Sequence, residues 1–199
     1  IQWEESFGGS DGDFAAAIWP TIDGGYILAG RSYSPPSGNK EATLFGGPDG
    51  WLIKLDPHGN EQWERSFGGG HSDGFTSLRQ TTDGGYALAG WSYSPPSGNK
   101  EAPHHGASDG WLVRVDAERN KLWERSFGGI EGDDFAFLSQ VNEGGFILGG
   151  DSSSPPSGNK ESPHFGGFDY WLVKVDAAGQ KQWERSYGTP AFSEGVAVV

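Results

Sequence analysis

The sequence predicts an all-β chain of 199 residues built from copies of one unit, and three observations carry that prediction. The segment SPPSGNKE recurs unchanged at residues 34–41, 94–101 and 154–161, each copy starting 60 residues after the one before. A fixed period of this length marks a repeat architecture. Second, the runs that start at Trp51, Trp111 and Trp171 alternate with a period of two: Trp51, Ile53 and Leu55 share one face, Leu52, Lys54 and Asp56 the other. That is the signature of a half-buried strand. Third, Gly-rich and Asp-rich turns separate four such segments in every unit, and no stretch has helical periodicity.

In the second unit the strands are predicted at 75–81, 86–92, 111–116 and 122–127. Asp83-Gly84-Gly85 turns the first strand into the second, glycine supplying positive φ at little steric cost. On the second strand, Ala29-Gly30, Ala89-Gly90 and Gly149-Gly150 leave room for a neighbouring sheet. The long connection to the third strand contains SPPSGNKE, which Pro35-Pro36 stiffens in the first copy. A turn from Asp56 to Asn60, matched at Asp116–Asn120 and Asp176–Gln180, leads into a fourth strand that carries WERSF at Trp63 and Trp123. Variants WEESF at Trp3 and WERSY at Trp183 keep the same step.

Four antiparallel strands per repeated unit predict a β-propeller with one blade per unit; the alternative is a β-trefoil-like threefold repeat. The boundaries read as 1–13 for the outer strand of a preceding blade, 14–73, 74–133 and 134–190 for three blades, and 191–199 for the first strand of a following one. One unit buries too little surface to fold alone. The chain is therefore expected to be either a piece of a longer repeat protein or a subunit that completes a ring by self-association.

GGYILAG, DGWLIKLDPHGN and EQWERSFGG resemble the unit found in tandem in secreted bacterial β-propeller proteins of the Delta-60 repeat type. Asp56, Gly59 and Trp63, with Asp176, Gly179 and Trp183, are also similar to the turn of the quinoprotein-like propeller repeat; Arg119 breaks that pattern in the second unit. The resemblance implies a propeller fold and an extracellular or cell-envelope location. It brings no catalytic residues and no cofactor.

The net charge of −13 argues against a nucleic-acid partner, which needs clustered Lys and Arg, and the basic residues are spread along the repeats without forming a patch. No apolar run approaches the ~20 residues of a membrane span. The absence of cysteine excludes disulfide stapling.

The SPPSGNKE loop is the leading candidate site. Polar groups beside aromatics suit sugars, and repeated weak sites gain avidity. The candidate residues are Tyr33, Ser37, Asn39, Lys40 and Glu41; Tyr93, Ser97, Asn99, Lys100 and Glu101; and Ser157, Asn159, Lys160 and Glu161. The competing reading makes the loop a stiff turn that packs against the next blade's copy of itself. Trp19 and Arg79 join the candidates because the units differ there, with Ser139 in the third. Asp11, Asp13, Asp73, Asp133 and Asp134 are weak calcium candidates, since acidic turns supply oxygen ligands, although Asp also caps turns through its own backbone. Asp49, Asp109 and Asp169 read as turn initiators, and the histidines as loop residues. Near-identical units supply each group three times, whereas catalysis needs an asymmetric constellation. The expected function is thus a non-catalytic, extracellular module that binds carbohydrate or another surface protein. The alternatives are a polysaccharide-active hydrolase or lyase with its site at the propeller mouth, and a structural repeat whose partner is itself.

Overall fold

A computed structural model describes residues 3–190. Their strands form three four-stranded antiparallel sheets, each a meander drawn from one unit. The first contains β1 (Asp13–Pro20), β2 (Tyr26–Ser32), β3 (Asp49–Leu55) and β4 (Glu61–Phe67). The second contains β5 (Asp73–Gln80), β6 (Tyr86–Ser92), β7 (Asp109–Val115) and β8 (Lys121–Phe127). The third contains β9 (Asp133–Gln140), β10 (Phe146–Ser152), β11 (Asp169–Val175) and β12 (Lys181–Tyr187). There is no helix among the described residues.

The strands predicted for the second unit agree with β5–β8 to within two residues at every boundary. Gly24, Gly84 and Gly144 take φ of 82°, 85° and 82° in the first turn of each sheet. A side chain there would be forced into the left-handed region.

Each sheet has a rear face, towards the preceding unit, and a forward face, towards the next. Ile27, Ala29, Leu52 and Phe67 on the forward face of the first sheet pack with Phe75, Leu78, Tyr86, Leu88, Trp111, Val113 and Val115 of the second. Ala87, Ala89, Leu112 and Phe127 meet Phe135, Leu138, Phe146, Leu148, Trp171, Val173 and Val175 of the third in the same way. The core thus lies between sheets, which is why both faces of β3 and β7 are buried throughout. Phe75 stacks on Trp111 at 5.3 Å and meets Phe67 edge-on at 5.9 Å. Phe135 repeats this on Trp171 at 5.4 Å, beside Phe127 at 5.9 Å. Gly50 and Gly110 lie under those two rings, and a Cβ there would come within 2.5 and 2.7 Å of them. The glycine of each DGW run is therefore dictated by the neighbouring unit's phenylalanine.

The rear face of the first sheet is partly covered by Trp3 and Phe7, which pack with Tyr26, Leu28, Trp51, Ile53 and Leu55. Trp3 meets Tyr26 at 5.8 Å and 62°, the geometry with which Trp63 meets Tyr86 at 5.8 Å and 63°. Residues 3–9 have no ladder partner among the described residues, but their tryptophan occupies the place of a preceding unit's fourth-strand tryptophan. The first strand expected at 191–199 lies outside the described residues.

Candidate functional site

The candidate loop folds back onto the segment that leads into its own sheet. Pro95 and Pro96 deliver a tight turn in which Ser97 and Lys100 exchange backbone hydrogen bonds of 3.0 and 2.9 Å. Gly98, at φ 58°, closes it, with the Gly68 carbonyl only 2.6 Å from where a Cβ would sit. The Gly68 N–H donates to Asn99 Oδ1 at 2.9 Å, and Asn99 Nδ2 donates to the Ser66 carbonyl at 2.9 Å. The Gly70 N–H donates to Ser97 Oγ, and the His71 N–H to Ser94 Oγ. Asn39 holds Gly8 and Ser6 likewise, Asn159 holds Gly128 and Ser126, and Ser37 and Ser157 accept from the Ser10 and Ile130 N–H groups. The loop is thus a clasp over the crossing between sheets, which satisfies backbone groups that have no strand partner.

Below the clasp are ionisable groups. Lys40, Lys100 and Lys160 are each 2% exposed and donate through Nζ to the carbonyls of Ala42, Ala102 and Ser162. Burial lowers the affinity of all three ammonium groups for their protons. Glu64, Glu124 and Glu184 accept from the backbone N–H groups of Glu41, Glu101 and Glu161. Glu124 also accepts from Trp111 Nε1 at 2.8 Å. These glutamates escaped the sequence reading, although the unvarying Glu of WER, paired with the tryptophan that opens the third strand, was their signal.

Asp13, Asp73 and Asp133 do not gather into a cation cradle. Each accepts from a glycine N–H (Gly9, Gly69, Gly129) and from a clasp serine (Ser34, Ser94, Ser154). Asp134 accepts from Ser108, and Asp11 from the Gly12 N–H. No group of three or more His, Cys, Asp or Glu placed to hold a metal is found among the described residues. Asp49, Asp109 and Asp169 accept from the N–H groups of Phe45, His105 and Phe165, as turn residues do, and are completely buried. Burial, with a smaller contribution from Asp73, pushes the Asp49 carboxyl up to about 7. His104 and His164 contact Asp109 and Asp169 through Nδ1 at 3.0 Å, which fastens the variable half of the loop.

The candidate residues that do converge are Glu41, Asn99 and Glu101. With Phe45, Glu64, Arg65, Arg119, Asn120 and Lys121 they line an open groove of about 660 Å³ between the first two units. Lys121 reaches Glu124 at 2.7 Å and Glu101 at 3.8 Å along one wall. Between the second and third units, Arg125 donates to the Ala178 carbonyl at 2.9 Å across the corresponding gap. Trp19 and Arg79 also meet, the guanidinium lying 4.0 Å from the indole centroid, but as a contact between the first two sheets. Tyr33 and Tyr93 pack edge-on against Phe14 and Trp91 of their own units, away from the groove.

No protein-family model matches the chain. Over 196 residues it is 28% identical to Regulatory protein FlaEY of Caulobacter vibrioides, an alignment that covers 93% of this chain and 19% of that protein. The chain therefore spans about a fifth of the length of the curated relative it matches.

Proposed function

We propose that the chain is a stretch of a β-propeller of the Delta-60 repeat type, in which each four-stranded sheet is a blade, and that it acts as a non-catalytic binding module. The groove between the first two units carries this reading. It places carboxylates and cations of both walls, with the amides of Asn99 and Asn120, around the rings of Phe45 and Phe67. Such a lining suits a polar, hydroxyl-rich ligand, and carbohydrate is the class we assign. The clasp residues keep the groove's walls in place, while Glu41 and Glu101 stay exposed at its edge. A regulatory designation on the relative is in line with a role other than turnover. The extracellular or envelope location rests on the repeat resemblance alone.

A glycan array followed by calorimetric titration tests this. A bound sugar with Kd of about 0.1–1 mM, weakened about tenfold or more by Arg65→Ala and by Glu101→Gln, is the expected result. No binding to any sugar, or binding that neither change affects, overturns it.

A further inference from the structure

The interface between consecutive sheets uses the same positions each time, and the two outermost faces carry its two halves. On the forward face of the third sheet, Phe137, Ile147, Leu172, Trp183 and Tyr187 stand where the first sheet has Ala17, Ile27, Leu52, Trp63 and Phe67. Trp183 and Tyr187 are 37% and 56% exposed, whereas Phe67 is buried against the second sheet. On the rear face of the first sheet, Ile18 is 57% exposed, whereas its counterparts Leu78 and Leu138 are 0% and 1% exposed.

The two faces also differ from the internal ones in complementary ways. Ala15 pairs with Gly30 in the register where Phe75 pairs with Gly90 and Phe135 with Gly150. The missing ring leaves a pocket of about 220 Å³, lined by Trp51, Phe7, Leu28 and Ile53. Phe137 pairs with Gly149 where the other units have the small residues Ala17 and Ser77. Its ring lies over that glycine, within 2.0 Å of where a Cβ would be. Tyr170 also stands on that face, at the position where Gly50 and Gly110 lie under Phe75 and Phe135. One outer face thus lacks a ring and the other carries one at the position opposite it, and cores tolerate exchanges that conserve volume.

We propose that the forward face of the third sheet docks on the rear face of the first sheet of a second copy of this chain. Tyr170 supplies the ring that Ala15 lacks. Trp183 and Tyr187 take the places that Trp3 and Phe7 hold beside Tyr26 and Trp51. Residues 3–7 swing aside about Gly8 and Gly9; they have no ladder hydrogen bonds, and the partner's equivalent side chains restore their packing. The carbonyl of the partner's Ser186 takes the place of the Ser6 carbonyl as acceptor for Asn39. The surplus comes from Phe137, Ile147 and Leu172 covering Ile18, Leu28 and Ile53. The contact is head to tail, so it builds rings or open filaments, not isologous pairs.

Sedimentation velocity on the full chain from about 1 to 100 µM reads the association directly. Wild type is expected to associate with rising concentration, and Trp3→Ala, which vacates the socket, to associate more tightly. Ala15→Phe fills the pocket and opposes Tyr170, while Tyr170→Gly leaves the pocket empty; each weakens association about tenfold or more. Combined, they recreate the small-against-aromatic arrangement of the second and third sheets and return the affinity to within about threefold of wild type. Thermal melts of each variant confirm that the fold is kept. If wild type and Trp3→Ala both stay monomeric throughout, the proposal is overturned, and these faces belong to further units of a longer chain. A double variant no better than the singles overturns it equally.

Discussion

Asn99→Ala removes the central bonds of one clasp and leaves its surroundings in place. The side chain is partly buried and spans two groups: it accepts from the Gly68 N–H at 2.9 Å and donates to the Ser66 carbonyl at 2.9 Å. Gly68 is buried, so neither group regains full access to water once the amide is gone. Stranding a buried donor or acceptor costs about 1–3 kcal/mol, and two half-shielded groups together give an expected loss of about 2–3 kcal/mol. For a chain of this size that lowers Tm by about 4–12 °C. Asn39→Ala breaks the same pair of bonds, to Gly8 at 2.8 Å and Ser6 at 2.7 Å, but in an exposed setting where water replaces them. Its expected cost is at most about 1 kcal/mol. Urea unfolding followed by tryptophan fluorescence measures both. If Asn99→Ala matches wild type, or if Asn39→Ala costs as much, the clasp does not hold the sheets together and the reasoning fails.

Two further changes probe the buried charge and the turn chemistry. The Asp49 carboxyl titrates near 7 when folded, against about 3.8 when exposed, so the folded chain holds the extra proton between those values. Stability contributed by this group is present at low pH and is lost as pH rises through about 4 to 7; Asp49→Asn should flatten that slope and raise Tm by about 2–4 °C near pH 8, as calorimetry at several pH values would show. Arg119 takes φ of 76°, where its counterparts Gly59 and Gly179 take 89° and 77°. Arg119→Gly should stabilise the chain by about 0.5–1 kcal/mol in the same urea assay.

The strands were legible because their signal is local. Alternation in WLIKL, and glycine where the chain must turn, place β3 and its two counterparts without knowledge of any neighbour. The sheet-to-sheet core was less legible, since it depends on which of two apolar faces meets which. The site was the hardest to read. Ser37, Asn39 and Lys40 look like ligand donors in a polar loop, yet the donors and acceptors they satisfy belong to residues about 30 positions earlier or to the loop itself. Only the crossing of the chain over its own sheet brings Asn99 to Gly68. Lys100 is opaque for a second reason. A buried ammonium is costly, so sequence reasoning places lysine in water; here the carbonyls of Ala102 and Pro103, with Glu124 and Asp109 nearby, compensate its burial. The groove was half legible. Glu41 and Glu101 were candidates, but Arg65 and Lys121 lie on a fourth strand whose pattern reports only packing.

Native-state hydrogen exchange at Gly68, Gly70 and His71 tests most directly whether the invariant loop serves the architecture. Their amides donate to Asn99 Oδ1, Ser97 Oγ and Ser94 Oγ, all supplied by one SPPSGNKE copy. If that copy is a clasp, these amides should exchange as slowly as those of β5 and β6, about a thousandfold or more below unstructured rates, and should lose that protection in Asn99→Ala. Exchange at the rate of an open loop, unchanged by the substitution, would show that the loop is free for a ligand and that the sheets are held together without it.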